Sequence, residues 1–247
     1  DFSIIFIPGN TDCSGVFTTN KFAAAPVIVS KKQLEKNRNI NAIIVNSGIA
    51  NACTGDRGVE NAIKTVGLAA KYLNIPENNI LVSSTGRIGR QLPLDKIEFG
   101  LQHCVKHLGN ENGHNTAKAI LTIDKHPKEF ALKISWGDKD IIIGGIAKGS
   151  VMVEPNMATT LSFIATNAKV SHSLLDKMMF DCIDRTFNCI STDGCQSTND
   201  MALLVANGES GIEIKQENDE LYNLFKQALY MALEELCIKV VEDGEGA

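Results

Sequence analysis

Strand-like and helical segments interleave along this chain, which predicts an α/β or α+β protein. Two further observations support that class. Short aliphatic and β-branched runs recur at residues 4–7, 27–29, 42–46, 80–84, 161–165 and 202–206. In addition, 44% of the 247 residues are hydrophobic and 21% are charged, enough apolar material for one large domain or two small ones.

The elements follow in order. Residues 4–7 form a strand at the very start of the chain. Residues 27–29 read as a second strand, and the polar stretch 31–41 as a surface helix or loop. After the strand at 42–46, Val59, Ala62, Ile63, Val66, Ala70 and Leu73 form a helical stripe that Asn74 and Pro76 end. Residues 80–84 are again a strand. Phe130, Leu132, Ile134 and Trp136 alternate and share one strand face. Gly137-Asp138-Lys139-Asp140 then reads as a hairpin turn into Ile141-Ile142-Ile143. Between the strands at 161–165 and 202–206, Ser173 is placed to cap a helix carrying Leu174, Met178, Cys182 and Phe187. Tyr222, Phe225, Leu229, Leu233 and Leu236 mark the last helix. Glu217, Asp219 and Glu220 at its entry suit the positive end of the helix dipole.

Several function classes are excluded. The net charge is -5, without a basic run or aromatic residues interleaved with basic ones, so nothing points to nucleic acid. The apolar runs are far shorter than the ~20 residues of a membrane span. The seven cysteines are odd in number and irregularly spaced, without a C-x-x-C pair. With no signal peptide and no N-glycosylation site, this reads as a reduced, intracellular protein with buried free thiols. The chain opens directly on an apolar strand and closes on Gly244-Glu245-Gly246-Ala247, so both ends read as cuts, with room for a lost targeting segment.

Three local patterns carry little. His103 and His107 lie one helical turn apart, but without a third ligand nearby they read as a solvated helix face. Cys189 and Cys195 flank a Gly-Asp turn and read as buried structural thiols. Gly144-Gly145-Ile146-Ala147-Lys148-Gly149-Ser150 has the wrong order for a phosphate loop.

The stretch Lys148-Gly149-Ser150-Val151-Met152-Val153-Glu154-Pro155-Asn156-Met157-Ala158-Thr159-Thr160-Leu161 stands apart. Small residues and a Pro-Asn lead into Ala-Thr-Thr directly before an apolar strand. Taken alone, the Thr pair reads as β-branched packing. The stretch resembles the processing site of the ornithine acetyltransferase (glutamate N-acetyltransferase) family of arginine biosynthesis, with Val151 replacing a Gly. Other blocks resemble that family in the same order: Gly15-Val16-Phe17-Thr18-Thr19-Asn20 followed by Ala25-Pro26-Val27, and Asn46-Ser47-Gly48-Ile49-Ala50-Asn51-Ala52-Cys53-Thr54-Gly55. Ser83-Ser84-Thr85-Gly86-Arg87-Ile88-Gly89, Ser197-Thr198-Asn199-Asp200 and Asp243-Gly244-Glu245-Gly246-Ala247 continue the series. The chain departs from the family at Asp193-Gly194-Cys195-Gln196, where Asp-Gly-Asp-Thr is usual. It also stops at Ala247, where members continue with a long C-terminal section that supplies further substrate contacts.

The resemblance implies an α/β fold of stacked mixed β-sheets flanked by helices, shared with self-cleaving aminopeptidases. It implies cleavage between Ala158 and Thr159, into an α chain of residues 1–158 and a β chain that here comprises 159–247, assembled as an α2β2 heterotetramer. Thr159 then serves twice as nucleophile. Once it is N-terminal, its own α-amino group, with a pKa of roughly 7.7–8.0, can act as its base. Thr85 and Gly86 match the oxyanion hole, where one donor contributes roughly 3–4 kcal/mol at the transition state. Thr122, Lys148, Thr159 and Glu245 match substrate-binding positions. Lys148 would hold a carboxylate as a point charge and Glu245 an ammonium.

The reaction the resemblance implies is ping-pong and needs no metal and no cofactor. Thr159 takes acetyl from N-acetylornithine, ornithine leaves, and glutamate collects the acetyl group. Some members also accept acetyl-CoA, and the sequence leaves both donors open. The expected location is the cytoplasm, or a mitochondrion or plastid if a targeting segment was lost. The alternatives are a related acyltransferase of antibiotic biosynthesis, an aminopeptidase on the same fold, and a truncated non-catalytic remnant.

Overall fold

Ile43 and Val45 pack into one core while their neighbours Ala42 and Ile44 pack into another, and all four are buried. A strand buried on both faces needs a layer on each side. The computed structural model, which describes residues 1–154 and 160–244, supplies those layers. β3 (Ala42–Ile49) runs parallel to β4 (Ile80–Arg87), and β1 (Phe2–Phe6) lies antiparallel on the other side of β3. The second sheet has the order β2-β9-β7-β6-β5: β2 (Asp12–Phe17), β9 (Met201–Ala206), β7 (Leu161–Thr166), β6 (Lys139–Lys148) and β5 (Lys128–Trp136). Only β7 and β9 are parallel there. A two-residue parallel pair, β8 (Lys169–Val170) and β10 (Glu213–Ile214), stands apart.

The helices are α1 (Ala25–Lys36), α2 (Gly55–Leu73), α3 (Leu94–Lys106), α4 (Gly113–Ala119), α5 (His172–Asp184) and α6 (Glu220–Glu242). Ile4, Ile44 and Val82 pack against Ala62, Val66, Ile97 and Leu101 of α2 and α3. Ile43, Val45 and Leu81 meet Phe163, Leu203 and Val205 between the two sheets. Ile141, Ile143, Ile164 and Leu204 meet Leu175, Met179, Phe225, Leu229 and Leu233 of α5 and α6. The result is an α/β/β/α stack of mixed sheets flanked by helices. Each fully buried aliphatic side chain contributes about 1.5–3 kcal/mol. In β9 the larger Met201, Leu203 and Val205 face the inter-sheet core, and Ala202, Leu204 and Ala206 face the helices. A one-residue slip would exchange the two sets and is therefore strongly disfavoured.

Several expectations are met in detail. Trp136 pairs with Lys139 across Gly137-Asp138, and Gly137 takes the positive φ of 62° that this tight hairpin requires. Asn74 ends α2 in the left-handed region at φ 55°. The Asp219 carboxylate caps α6 by accepting the Tyr222 N–H at 2.7 Å.

Others are corrected. Residues 27–29 are helical, in the first turns of α1, because Pro26 sits at the helix start and Pro26, Val27, Ser30 and Leu34 form a buried helical face. Ser30 anchors that face by donating to Val82 O at 2.7 Å. Of the polar stretch, 31–36 is helix and the remainder a loop tied down by Asn37, Asn39 and Asn41. Ser171, not Ser173, precedes α5, and Phe187 lies past its end, in a 3₁₀ turn. There the Thr186 hydroxyl donates to Cys182 O at 2.7 Å, competing with continuation of the helix. All seven cysteines are free thiols. Cys13, Cys182 and Cys237 are buried, but Cys53, Cys189 and Cys195 are exposed, because they sit on loops outside the three cores. Among the described residues, no helix is long and apolar enough to cross a membrane.

Candidate active site

The parallel pairing of β3 with β4 brings Ser47 beside Thr85 and Gly48 beside Gly86 at the strands' C-terminal ends. Gly86 has φ 124°, and a Cβ there would lie 2.3 Å from the carbonyl carbon of Gly48, so only glycine fits. Lys148 ends β6 and pairs with Leu161 at the start of β7. Its ammonium donates to Thr85 Oγ1 at 3.2 Å and to Thr122 Oγ1 at 3.4 Å. Thr85, Gly86, Thr122 and Lys148 thus line one cavity of about 530 Å³, and Thr160 and Leu161 continue its wall. Of the remaining sequence-predicted site residues, Ala158, Thr159 and Glu245 lie outside the described residues.

The charges around this cavity are arranged in a chain. Burial pushes the Lys148 amine below the ordinary lysine range; Asp124 and Asp200 oppose that shift and Lys128 adds to it. Because the ammonium donates to Thr85 Oγ1, the threonine's own proton remains available and is polarised toward an acceptor in the cavity. The Asp124 side chain is fully buried and accepts Lys128 Nζ at 2.8 Å, the Gly149 N–H at 2.6 Å and the Thr122 N–H at 3.2 Å. Desolvation alone would raise its pKa, but Lys148, Lys128 and the Gly149 N–H together hold it below the ordinary carboxylate value. Lys128, also fully buried, reaches Asp243 Oδ2 at 2.6 Å as well. Asp243 in turn accepts the Lys125 N–H at 3.0 Å. Asp124, Lys128 and Asp243 are absent from the sequence-predicted site. For Asp243 the signal was its place in the family-like block that opens with it; Asp124 and Lys128, on a loop and a strand start, left no local pattern.

The family-like blocks also have structural work. Asn199 Nδ2 donates to Ala50 O at 2.6 Å and to Ser84 O at 2.8 Å, tying the site loop to the ends of β3 and β4. The Thr18 N–H donates to Asp200 O at 3.0 Å and its hydroxyl to Ser197 O at 2.8 Å. Asn51 and Cys53, at φ 51° and 54°, turn the chain from β3 into α2, with Asn51 Nδ2 donating to Gly58 O at 2.9 Å. In the departing block, Asp193 accepts the Met152 and Val153 N–H groups, the latter at 3.0 Å. That contact holds the segment just before residue 155.

A larger, mainly apolar cavity of about 1050 Å³ lies between β1 and the second sheet, and among the described residues none of the sequence-predicted site residues lines it. His103 and His107 stand at its wall with ring centroids 4.4 Å apart. Among the described residues, no group of three or more His, Cys, Asp and Glu is placed to hold a metal ion.

Comparison with known proteins places this site in context. The "Arginine biosynthesis bifunctional protein ArgJ" of Thermotoga neapolitana is 47% identical over 249 residues, covering 100% of this chain and 62% of that protein. Its counterpart from Caldanaerobacter subterraneus subsp. tengcongensis is 42% identical over 247 residues and is covered to 61%. The chain therefore spans about three fifths of the length of the curated relatives it matches. Among solved structures, ornithine acetyltransferase from Mycobacterium tuberculosis, complexed with ornithine, superposes with TM-score 0.57 at 35% identity, over 63% of this chain and 82% of that one. The ArgJ structure from Bacillus halodurans gives TM-score 0.54 at 35% identity, over 64% of this chain and 91% of that one. The L-aminopeptidase of Ochrobactrum anthropi, a variant of the Ntn-hydrolase fold, shares the fold alone, with TM-score 0.50 at 11% identity over 97% of this chain and 72% of that one. The sequence model of the ArgJ family matches residues 1–247, and the chain belongs to that family.

Proposed function

We propose that this protein moves an acetyl group from N-acetylornithine to glutamate in arginine biosynthesis, after cutting itself between Ala158 and Thr159. The observation that carries the reading is the convergence of Thr85, Gly86, Thr122 and Lys148 on one cavity whose wall continues in Thr160, the residue after the proposed nucleophile. The names of its relatives, and the ornithine held by the Mycobacterium tuberculosis structure, support it.

The chemistry follows from the residue types. In the precursor the Thr159 hydroxyl attacks the Ala158 carbonyl and the peptide bond becomes an ester. That shift frees the Thr159 amine, and water then hydrolyses the ester, releasing the Ala158 carboxylate and the Thr159 hydroxyl. The amine now takes the proton of its own hydroxyl while Oγ attacks the acetyl carbonyl of N-acetylornithine. Thr85 and the Gly86 N–H stabilise the oxyanion, and the proton leaves with the ornithine amine. The glutamate amine then attacks the acetyl ester and regenerates Thr159. Lys148 and Thr122 hold the substrate carboxylate, and Glu245 pairs with its ammonium. The cut chains, residues 1–158 and the chain starting at Thr159, assemble as an α2β2 heterotetramer in the cytoplasm. Acetyl-CoA is a second donor to assay.

The test is N-terminal sequencing of purified full-length protein beside an acetyl-transfer assay. The expected second chain begins Thr159-Thr160-Leu161; a single uncut, active chain would end the proposal. Thr159→Ala should stay uncut and inactive, and Thr85→Ala should lower kcat about 100-fold. Turnover should rise with pH through the α-amino pKa of roughly 7.7–8.0, because only the neutral amine accepts a proton. Substrate binding should weaken as pH rises and Lys148 loses its charge, with a midpoint below the ordinary lysine value of 10.5.

A further inference from the structure

We infer that Asp124 is the positioning residue of this site: one buried carboxylate fixes the backbone after Lys148 and the backbone at Thr122, and so sets how the lysine ammonium meets its two threonines. The inference rests on the proposed acetyl transfer for its kinetic consequence only. Asp124 cannot touch a substrate, since its side chain has no exposure. What it touches is the frame. Gly149, where the chain leaves β6 directly after Lys148, gives its N–H to Asp124 Oδ1 at 2.6 Å. Thr122, on Asp124's own loop, gives its N–H to the other oxygen at 3.2 Å. Each oxygen thus anchors one of the two segments that carry Lys148 and Thr122.

The carboxylate is oriented from behind. Lys128 Nζ binds it at 2.8 Å and binds Asp243 at 2.6 Å on its far side. Lys148, Asp124, Lys128 and Asp243 form a series of alternating charge in that order, and an opposite neighbour for each charge makes its burial tolerable. Among the described residues, the charged groups facing Lys148 are Asp124 and Asp200, which favour its ammonium, and Lys128, which opposes it. Removing the Asp124 charge therefore both loosens the loop and weakens the ammonium.

The test uses Asp124→Asn, which keeps the shape and removes the charge. The primary readout is the titration of the Lys148 Nζ by NMR, assigned with Lys148→Arg, and it does not require turnover. The expected result is a midpoint at lower pH than in the wild type. KM for the carboxylate substrate should rise roughly tenfold with kcat little changed, as for loss of one charge-assisted contact. In a Lys148→Met background, Asp124→Asn should raise KM by less than in the wild type, because only its hold on Thr122 is left to lose. If Asp124→Asn does not fold, Asp124→Glu carries the test: it keeps the charge, but its longer arm displaces Gly149, and KM should again rise. A folded Asp124→Asn with the wild-type Lys148 midpoint, or Asp124→Glu with the wild-type KM, would overturn the inference. Absence of acetyl transfer in the wild type would sink the proposed function and leave the Lys148 titration to decide this point.

Discussion

Two aspartates hold the two ends of one segment, in different surroundings. Asp124 takes the Gly149 N–H, and Asp193 takes those of Met152 and Val153. Asp124 is fully buried and bound by the equally buried Lys128, whereas Asp193 lies on an exposed loop. The hydrogen bonds are alike, so the difference lies in solvent. A buried carboxylate that loses its partner keeps the full cost of desolvation, while an exposed one is re-solvated at little cost. The upstream end is thus held by a device that cannot be undone cheaply, and the end next to residue 155 by one that can. Under the proposed self-cleavage this asymmetry is useful, because the chain ends on either side of the cut must separate while Lys148 stays in place.

The comparison can be broken at its strong end first. Lys128→Met leaves the Asp124 and Asp243 carboxylates buried without their cation, and stability should fall by about 3–5 kcal/mol, read from urea unfolding. Wild-type stability at that level would mean that the pair is not held as described. A smaller effect is expected in acid. Asp124 has a depressed native pKa, so its contribution is complete above the ordinary carboxylate value of 3.8 and is lost as pH falls below it through the native value. Lys128→Met should move that loss to higher pH in a series of unfolding curves. Asp193→Ala should slow self-cleavage severalfold, followed by gel analysis over time, while changing stability far less than Lys128→Met. If the two stability losses are equal, burial is not what separates the aspartates. The smallest effect belongs to Lys133→Ala, which breaks a solvent-exposed pair with Asp140 and should leave the urea midpoint unmoved.

Much of the architecture was legible in short stretches, because period-two and period-3.6 patterns report which side of an element faces a core. The 130–143 hairpin, the α2 stripe with its Asn74 stop and the Asp219 entry to α6 are all of that kind. Residues 27–29 were misread because their β-branched run is local, while burial of the Pro26, Val27, Ser30 and Leu34 face is not. β2 left little pattern to read, since its Gly15 packs so closely that an added Cβ would meet Leu34 and Leu203 at 2.8 and 2.9 Å.

The site residues were readable only through the resemblance. Thr85, Thr122 and Lys148 are ordinary residue types far apart in the chain, and no local pattern joins them. What the sequence by itself determined is the set of elements, their inward and outward faces, and the candidate residues at their ends. The tertiary structure alone decided that Lys128 and Asp243, 115 residues apart, lie buried within 2.6 Å of each other behind the site. The reason is that lysine and aspartate are solvated by default, and only a fold that brings opposite charges together from distant segments can keep them out of water.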